Sequence, residues 1–109
     1  MPQIPPEQMT FAKFRERLHT RFQVTTGAGG VDLELTEVVL AQSSPASDAS
    51  AYESFALIFE GPARPRLDQG IHRMRSERGE QLDLFIVPVG PSAAGLRYEA
   101  VFNRLRSSG

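Results

Sequence analysis

The chain has 109 residues, 12 Lys and Arg against 13 Asp and Glu, and a formal net charge of −1. That length is one domain, long enough to bury a core unaided, and the near-neutral charge argues against strong non-specific attraction to nucleic acid or anionic membrane. The absence of cysteine excludes disulfides, thiolate metal sites and cysteine nucleophiles.

Residues 1–9 carry three prolines and read as an extended N-terminal segment. The opening Met1-Pro2-Gln3-Ile4 has neither a basic nor an apolar stretch, so no signal peptide is expected. No apolar run approaches the ~20 residues that span a bilayer, and the expected compartment is cytoplasmic. Thr10 is a helix N-cap candidate. Phe11, Phe14 and Leu18 then recur at helical spacing, with Lys13, Arg15, Glu16 and Arg17 on the polar side, which predicts a helix over about 11–20. Met9 is placed to staple onto Phe14.

After the helix the period falls from 3.6 to 2. A strand is predicted over 21–25, followed by a glycine turn at 27–30. Val31, Leu33 and Leu35 alternate with Asp32, Glu34 and Thr36, a half-buried strand. The alternation slips at Glu37–Leu40, which points to a β-bulge. Residues 41–51, rich in Ser, Ala and Asp, read as a loop. Residues 52–60 read as a strand with Phe55, Leu57 and Phe59 on one face. A proline-containing connection follows over 61–69. Residues 70–76 form the next strand, with His72 and Met74 inward and Ile71, Arg73 and Arg75 outward. Glu77–Glu80 is a hairpin turn. Residues 81–89 are apolar on both faces from Leu84 to Val87, as in a central strand, and Pro88 is expected to end its pairing. A loop over 90–95 leads to the last strand at 96–103. The expected organisation is an extended segment at 1–9, one β-rich domain at 10–104 and a flexible tail at 105–109.

About six antiparallel strands and one amphipathic helix describe a mainly β domain, by count α+β, built as a small barrel or a two-sheet sandwich. The helix is expected to plug one open end or cover one face. Closure or dimerisation would hide the two edges of such a sheet.

Several segments resemble an uncharacterised family of small bacterial domains, known as a domain of unknown function. They are Phe59-Glu60-Gly61-Pro62, Gln69-Gly70, Leu84–Gly90 with its Pro-Val-Gly, and Tyr98-Glu99-Ala100-Val101-Phe102-Asn103-Arg104. The 11–22 stretch is also similar. The likeness leaves out residues 1–8 and 41–51. His72 departs from it, since the resemblance implies an aromatic residue there. It implies a short protein without an assigned activity, in some cases beside phage-tail-like proteins.

Chemistry-bearing motifs are sparse. His19 and His72 have no metal-ligand spacing between them. No Gly-x-Ser-x-Gly elbow accompanies the serines, and the glycines at 27–30 lack the Lys-Ser/Thr of a phosphate loop. Asp32 and Glu34 read as the wet side of a strand rather than an acid/base pair. No cofactor is expected.

Charge distribution says more. From Phe22 to Glu60 there are acids and no Lys or Arg, whereas Gly61–Arg78 carries Arg64, Arg66, Arg73, Arg75 and Arg78. If the strands at 31–40 and 70–76 are neighbours, these charges pair internally. If not, Asp32 and Glu34 on one side and Arg64, Arg66, Arg73 and Arg75 on the other form surfaces for a protein partner or a second copy. The function expected is therefore a non-enzymatic structural or protein-interaction module, in line with a phage-tail-like assembly, without nucleic acid or membrane as partner. The alternative is a small-ligand-binding barrel.

Overall fold

The computed structural model describes residues 9–26, 29–43 and 52–105, with the side chains at 41–43, 52–53 and 103–105 left aside. Six strands follow one short helix: α1 (Phe11–Arg15), β1 (Arg21–Thr26), β2 (Gly29–Ser43), β3 (Tyr52–Gly61), β4 (Gly70–Ser76), β5 (Gln81–Ser92) and β6 (Gly95–Leu105). All neighbours are antiparallel, and the sheet closes as a barrel in the order β1-β2-β3-β6-β5-β4. Closure decides between barrel and sandwich, and it hides the edges that an open sheet would leave unpaired.

The period-2 pattern sets which side chains enter. Val24, Leu33, Leu35, Leu57, Phe59, Met74, Leu82, Ile86 and Tyr98 are fully buried. Phe22 meets Phe59 edge to face at 5.5 Å, a geometry that aromatic quadrupoles favour. Six strands enclose little space, and these side chains fill it. Leu67 enters from the 62–69 connection, and its backbone N–H donates to the Tyr98 hydroxyl at 2.9 Å. That bond gives the buried phenol a partner.

The helix plugs the end of the barrel where β1 and β5 begin. Thr10 caps it by accepting from the Lys13 backbone N–H at 3.1 Å. Phe14 is buried between Phe55 at 6.0 Å and Phe102 at 5.4 Å, while Phe55 and Phe102 stack at 4.8 Å. Met9 and Phe11 pack onto the same cluster. The expected helix to residue 20 is cut short at Arg15. Arg17, Leu18 and Thr20 donate instead to carbonyls three residues back. His19 takes a φ of 67°, the left-handed turn that ends many helices. His19 N–H then donates to Leu35 O, and Leu35 N–H donates to Thr20 O, so the chain trades helical bonds for ties to β2. Arg17 also departs from its expected polar face. It is buried, 6% exposed, and reaches Glu80 across the barrel mouth.

The slip in β2 is a bulge: Leu35 opposes Phe59 but Glu37 opposes Ile58, leaving Thr36 unpaired in the ladder. Its hydroxyl donates to Ile58 O, and the inward set shifts from odd to even residues at Val38. Strand β2 runs on through a second irregularity after Leu40 to Ser43, so the expected loop at 41–51 starts later; its residues 44–51, and Gly27 and Ala28 of the glycine turn, lie outside the described residues.

Pro88 does not end pairing as expected. Strand β5 continues to Ser92, with Pro88 opposite Tyr98 and a bulge before Gly90. Amide direction explains this. Ser76 N–H donates to Glu80 O, toward β5, so even-numbered residues of β4, and their even-numbered β5 partners, bond across that seam. Pro88 would therefore donate on the β4 side, but β4 begins at Gly70, opposite Ile86. The missing donor falls where no ladder exists. The expected loop at 90–95 shrinks to a turn at Ala93-Ala94, closed by the pair Ser92–Gly95. Strand β6 reaches Leu105, and residues 106–109 lie outside the described residues.

Candidate functional site

On the outer wall the odd-numbered residues of β4 and β1 face water. Strand β1 separates β2 from β4. The acidic and basic strands are therefore on one side of the barrel but not adjacent. Register sets Arg75 opposite Gln23 and Gln23 opposite Asp32, a row of cation, amide and anion. A groove of about 520 Å³ lies over it, lined by Arg21, Gln23, Asp32, Arg75, Ser76, Glu77 and Gly79. A second of about 200 Å³ continues over Thr25, Arg73 and Gln81 and shares Gln23 and Arg75. The next row runs Arg21, Glu34, Glu60, Arg97 across four strands.

Arg73 and Asp83 pair across β4 and β5, at 3.0 and 3.4 Å. The Arg73 hydrogen bond holds the Asp83 carboxyl below the usual carboxylate range. Both are solvent-exposed, so the pair is weak in water. Arg75, by contrast, makes no ion pair among the described residues. Arg64 and Arg66 are exposed in the connection that leads into β4. Glu34 lies 3.3 Å from His19 Nδ1, an exposed contact. Thus the structure gathers Asp32, Glu34, Arg73 and Arg75 around β1, and leaves Arg64 and Arg66 on the connection. His72 is half-buried, and its Nε2 lies 2.7 Å from Asp68 O. Among the described residues no group of three His, Asp or Glu could hold a metal ion.

The sequence places Ile71 on the outer wall but does not reveal the apolar surface it belongs to. Ile71 is 73% exposed and Phe85 51%, and they are a cross-strand pair. Val101, 62% exposed, opposes Ala56, which opposes the exposed Val39. Phe85 and Val101 each lie two residues beyond the Val87–Glu99 pair, on the same side of it. The signal was the doubly apolar run Leu84–Val87, read as a strand covered on both faces. In a closed barrel only one face is covered, so Leu84 and Ile86 go in and Phe85 stays out.

One protein-family model, described as a domain of unknown function (DUF6916), matches residues 9–102, and the chain belongs to that family. Comparison with curated proteins and with solved structures gives no match. No helix among the described residues is long and apolar enough to cross a membrane.

Proposed function

We propose that this member of the DUF6916 family is a non-enzymatic protein-interaction module that works through the outside of its barrel. The observation that carries this reading is the placing of large apolar side chains. The interior is filled, yet Ile71, Phe85, Val101 and Val39 stand in cross-strand rows on the outer wall. Exposed apolar rows beside polar grooves are what a protein partner covers. Isolated exposed apolar residues are ordinary, but rows of them across neighbouring strands, worth only about 0.2–1 kcal/mol per pair to the sheet, leave apolar surface in water that a partner would cover.

The filled interior counts against the small-ligand barrel, since a ligand would have to displace Phe59, Met74 or Tyr98. Nucleic-acid binding would need aromatic rings interleaved with basic residues on one outer face. Phe14, Phe22, Phe55, Phe59 and Tyr98 are instead buried in the core, and among the described residues Phe85 is the single ring exposed on the outer wall. A role in a phage-tail-like assembly is the narrower form of the proposal and rests on the resemblance in sequence.

The test is co-purification of the full chain at low and high salt, with light scattering to read its mass. Wild type is expected to carry a defined partner or a second copy. Phe85→Asp and Val101→Asp are expected to lose it while remaining folded, with stability lowered by no more than about 1 kcal/mol, the scale of an exposed cross-strand pair. A wild-type chain that stays monomeric and alone at both salt concentrations would sink the reading.

A further inference from the structure

We propose that the barrel binds further copies of itself through two unlike faces, the wall made by β2, β3 and β6 seating on the wall made by β1, β4 and β5 of the next copy. The proposal rests on the interaction reading above and names the partner as a second copy of this chain.

In the closed order β1-β2-β3-β6-β5-β4, strands β3 and β4 stand three places apart in a ring of six, on opposite sides of the barrel. The halves centred on them differ in charge. Strands β2, β3 and β6 turn Asp32, Glu34, Glu37, Glu60 and Glu99 outward, and Arg97 is the one cation among their described side chains. Strands β1, β4 and β5 turn Arg21, Arg73 and Arg75 outward, with Asp83 the one acid. Each half also carries an apolar row. Val39 and Val101 flank Ala56 on the acidic half, and Ile71 pairs with Phe85 on the basic half.

Both rows lie at one level along the barrel, because Phe85 and Val101 are equally far from the Val87–Glu99 pair. The charges leave that level in opposite directions. On the acidic half Glu37 and Glu99 come one step to the Glu99 side of it, and Glu34 and Glu60 come next. On the basic half Arg73 comes one step the other way and Arg75 two. A copy turned end for end about the line through β3 and β4 therefore lays apolar row on apolar row. The same turn sets Arg73 and Arg75 against the acids. Among the described residues Arg75, Glu37, Glu60 and Glu99 make no ion pair within the chain. A symmetric dimer suits these halves less well, since each would meet its own charge. Unlike faces on opposite sides also leave one face free on every added copy, so association does not stop at two.

The test is sedimentation equilibrium of the full chain over concentrations from about 10 μM to about 1 mM, in low salt and in about 0.5 M NaCl. The average mass is expected to pass that of a dimer in low salt and to fall in high salt. Ile71→Asp damages the basic half and Val39→Asp the acidic half. Both side chains are exposed, and circular dichroism checks that each variant stays folded. Either variant alone is expected to be monomeric. Mixed in equal amounts they are expected to form a one-to-one dimer and stop there, because each supplies the half that the other lacks. Arg75→Glu is expected to weaken association of the otherwise wild-type chain by about fivefold or more. The proposal is overturned if wild type stops at a dimer, if salt leaves its mass unchanged, or if the mixed variants associate no better than either alone. A chain that carries a foreign protein but never a second copy would overturn it and leave the interaction reading standing. A chain that stays monomeric and alone would bring down both.

Discussion

Glu80 lies just past the β4–β5 turn and takes two Arg17 N–H groups, at 2.8 and 2.9 Å, with Lys13 Nζ at 3.5 Å. This clasp fixes the segment after α1 to the far wall of the barrel. Glu80→Gln would take from the buried guanidinium its two-bonded carboxylate and leave only the longer contact to exposed Glu16, at 3.7 Å, at a cost of roughly 1–3 kcal/mol, and its melting temperature is expected to fall below wild type at neutral pH. The Arg17 hydrogen bond holds the Glu80 carboxyl below its usual range. A carboxyl depressed in the folded state contributes stability in full above its unfolded pKa, about 4.3, and loses it as pH falls through the lower folded value. The gap between wild type and Glu80→Gln should therefore be constant near neutrality and close in acid. Thermal melts across that range check it, and a gap that persists at low pH would mean that the charge is not what holds Arg17. None of this was legible in the sequence. Arg17 is one of several charges in a helical stretch, and its partner is 63 positions away. Met74 and Arg75, by contrast, were assigned to the correct faces, because alternation within one strand is a local property.

The β5–β6 hairpin shows how an element is fixed by close backbone approach. Gly95 has a φ of 140°, and a Cβ there would fall 2.5 Å from Ala63 N and 2.7 Å from Gly61 O. Those are main-chain atoms of the β3 exit and its following connection, which cannot rotate away. At Gly70 φ is 153°, but a Cβ would meet nothing. Gly70→Ala carries conformational strain alone, about 1 kcal/mol or somewhat more, whereas Gly95→Ala adds overpacking of roughly 1–3 kcal/mol. Urea unfolding should rank the two midpoints accordingly, with Gly95→Ala clearly lower. Equal midpoints would mean that the approach between Gly95 and the Gly61–Ala63 segment relaxes freely. Elements of period 2 were legible from the sequence nearly to their ends. Their ends were not, where bonds outside the element decided them: Leu35 takes over from the helix at His19, and the end of β4 frees Pro88.

At the scale of the whole barrel, closure depends on its shortest seam, the three residue pairs between β1 and β4. The sequence says that a six-strand sheet must hide its edges, but the partners in this seam lie some fifty positions apart and carry no local mark of each other. Length of ladder sets the cost of local opening, since each lost pair exposes few contacts when the neighbouring pairs are already missing. Fraying should start at Val24–Met74 and travel toward Phe22–Ser76. The alternation of β4 amides gives this a residue-level signature in the free protein. His72 and Met74 donate toward β5, within a ladder that runs from Gly70–Ile86 to Arg75–Gln81. The amides of Ile71 and Arg73 point to the β1 side, past Val24–Met74, the last residue pair of that seam. Native-state exchange should therefore alternate along β4, fast at Ile71 and Arg73 and slow at His72 and Met74, with Arg75 intermediate because its pairing with Gln23 sits one step inside the fraying end. Uniformly slow exchange from Ile71 to Arg75 would mean a seam closed along its length, beyond the three pairs that define it.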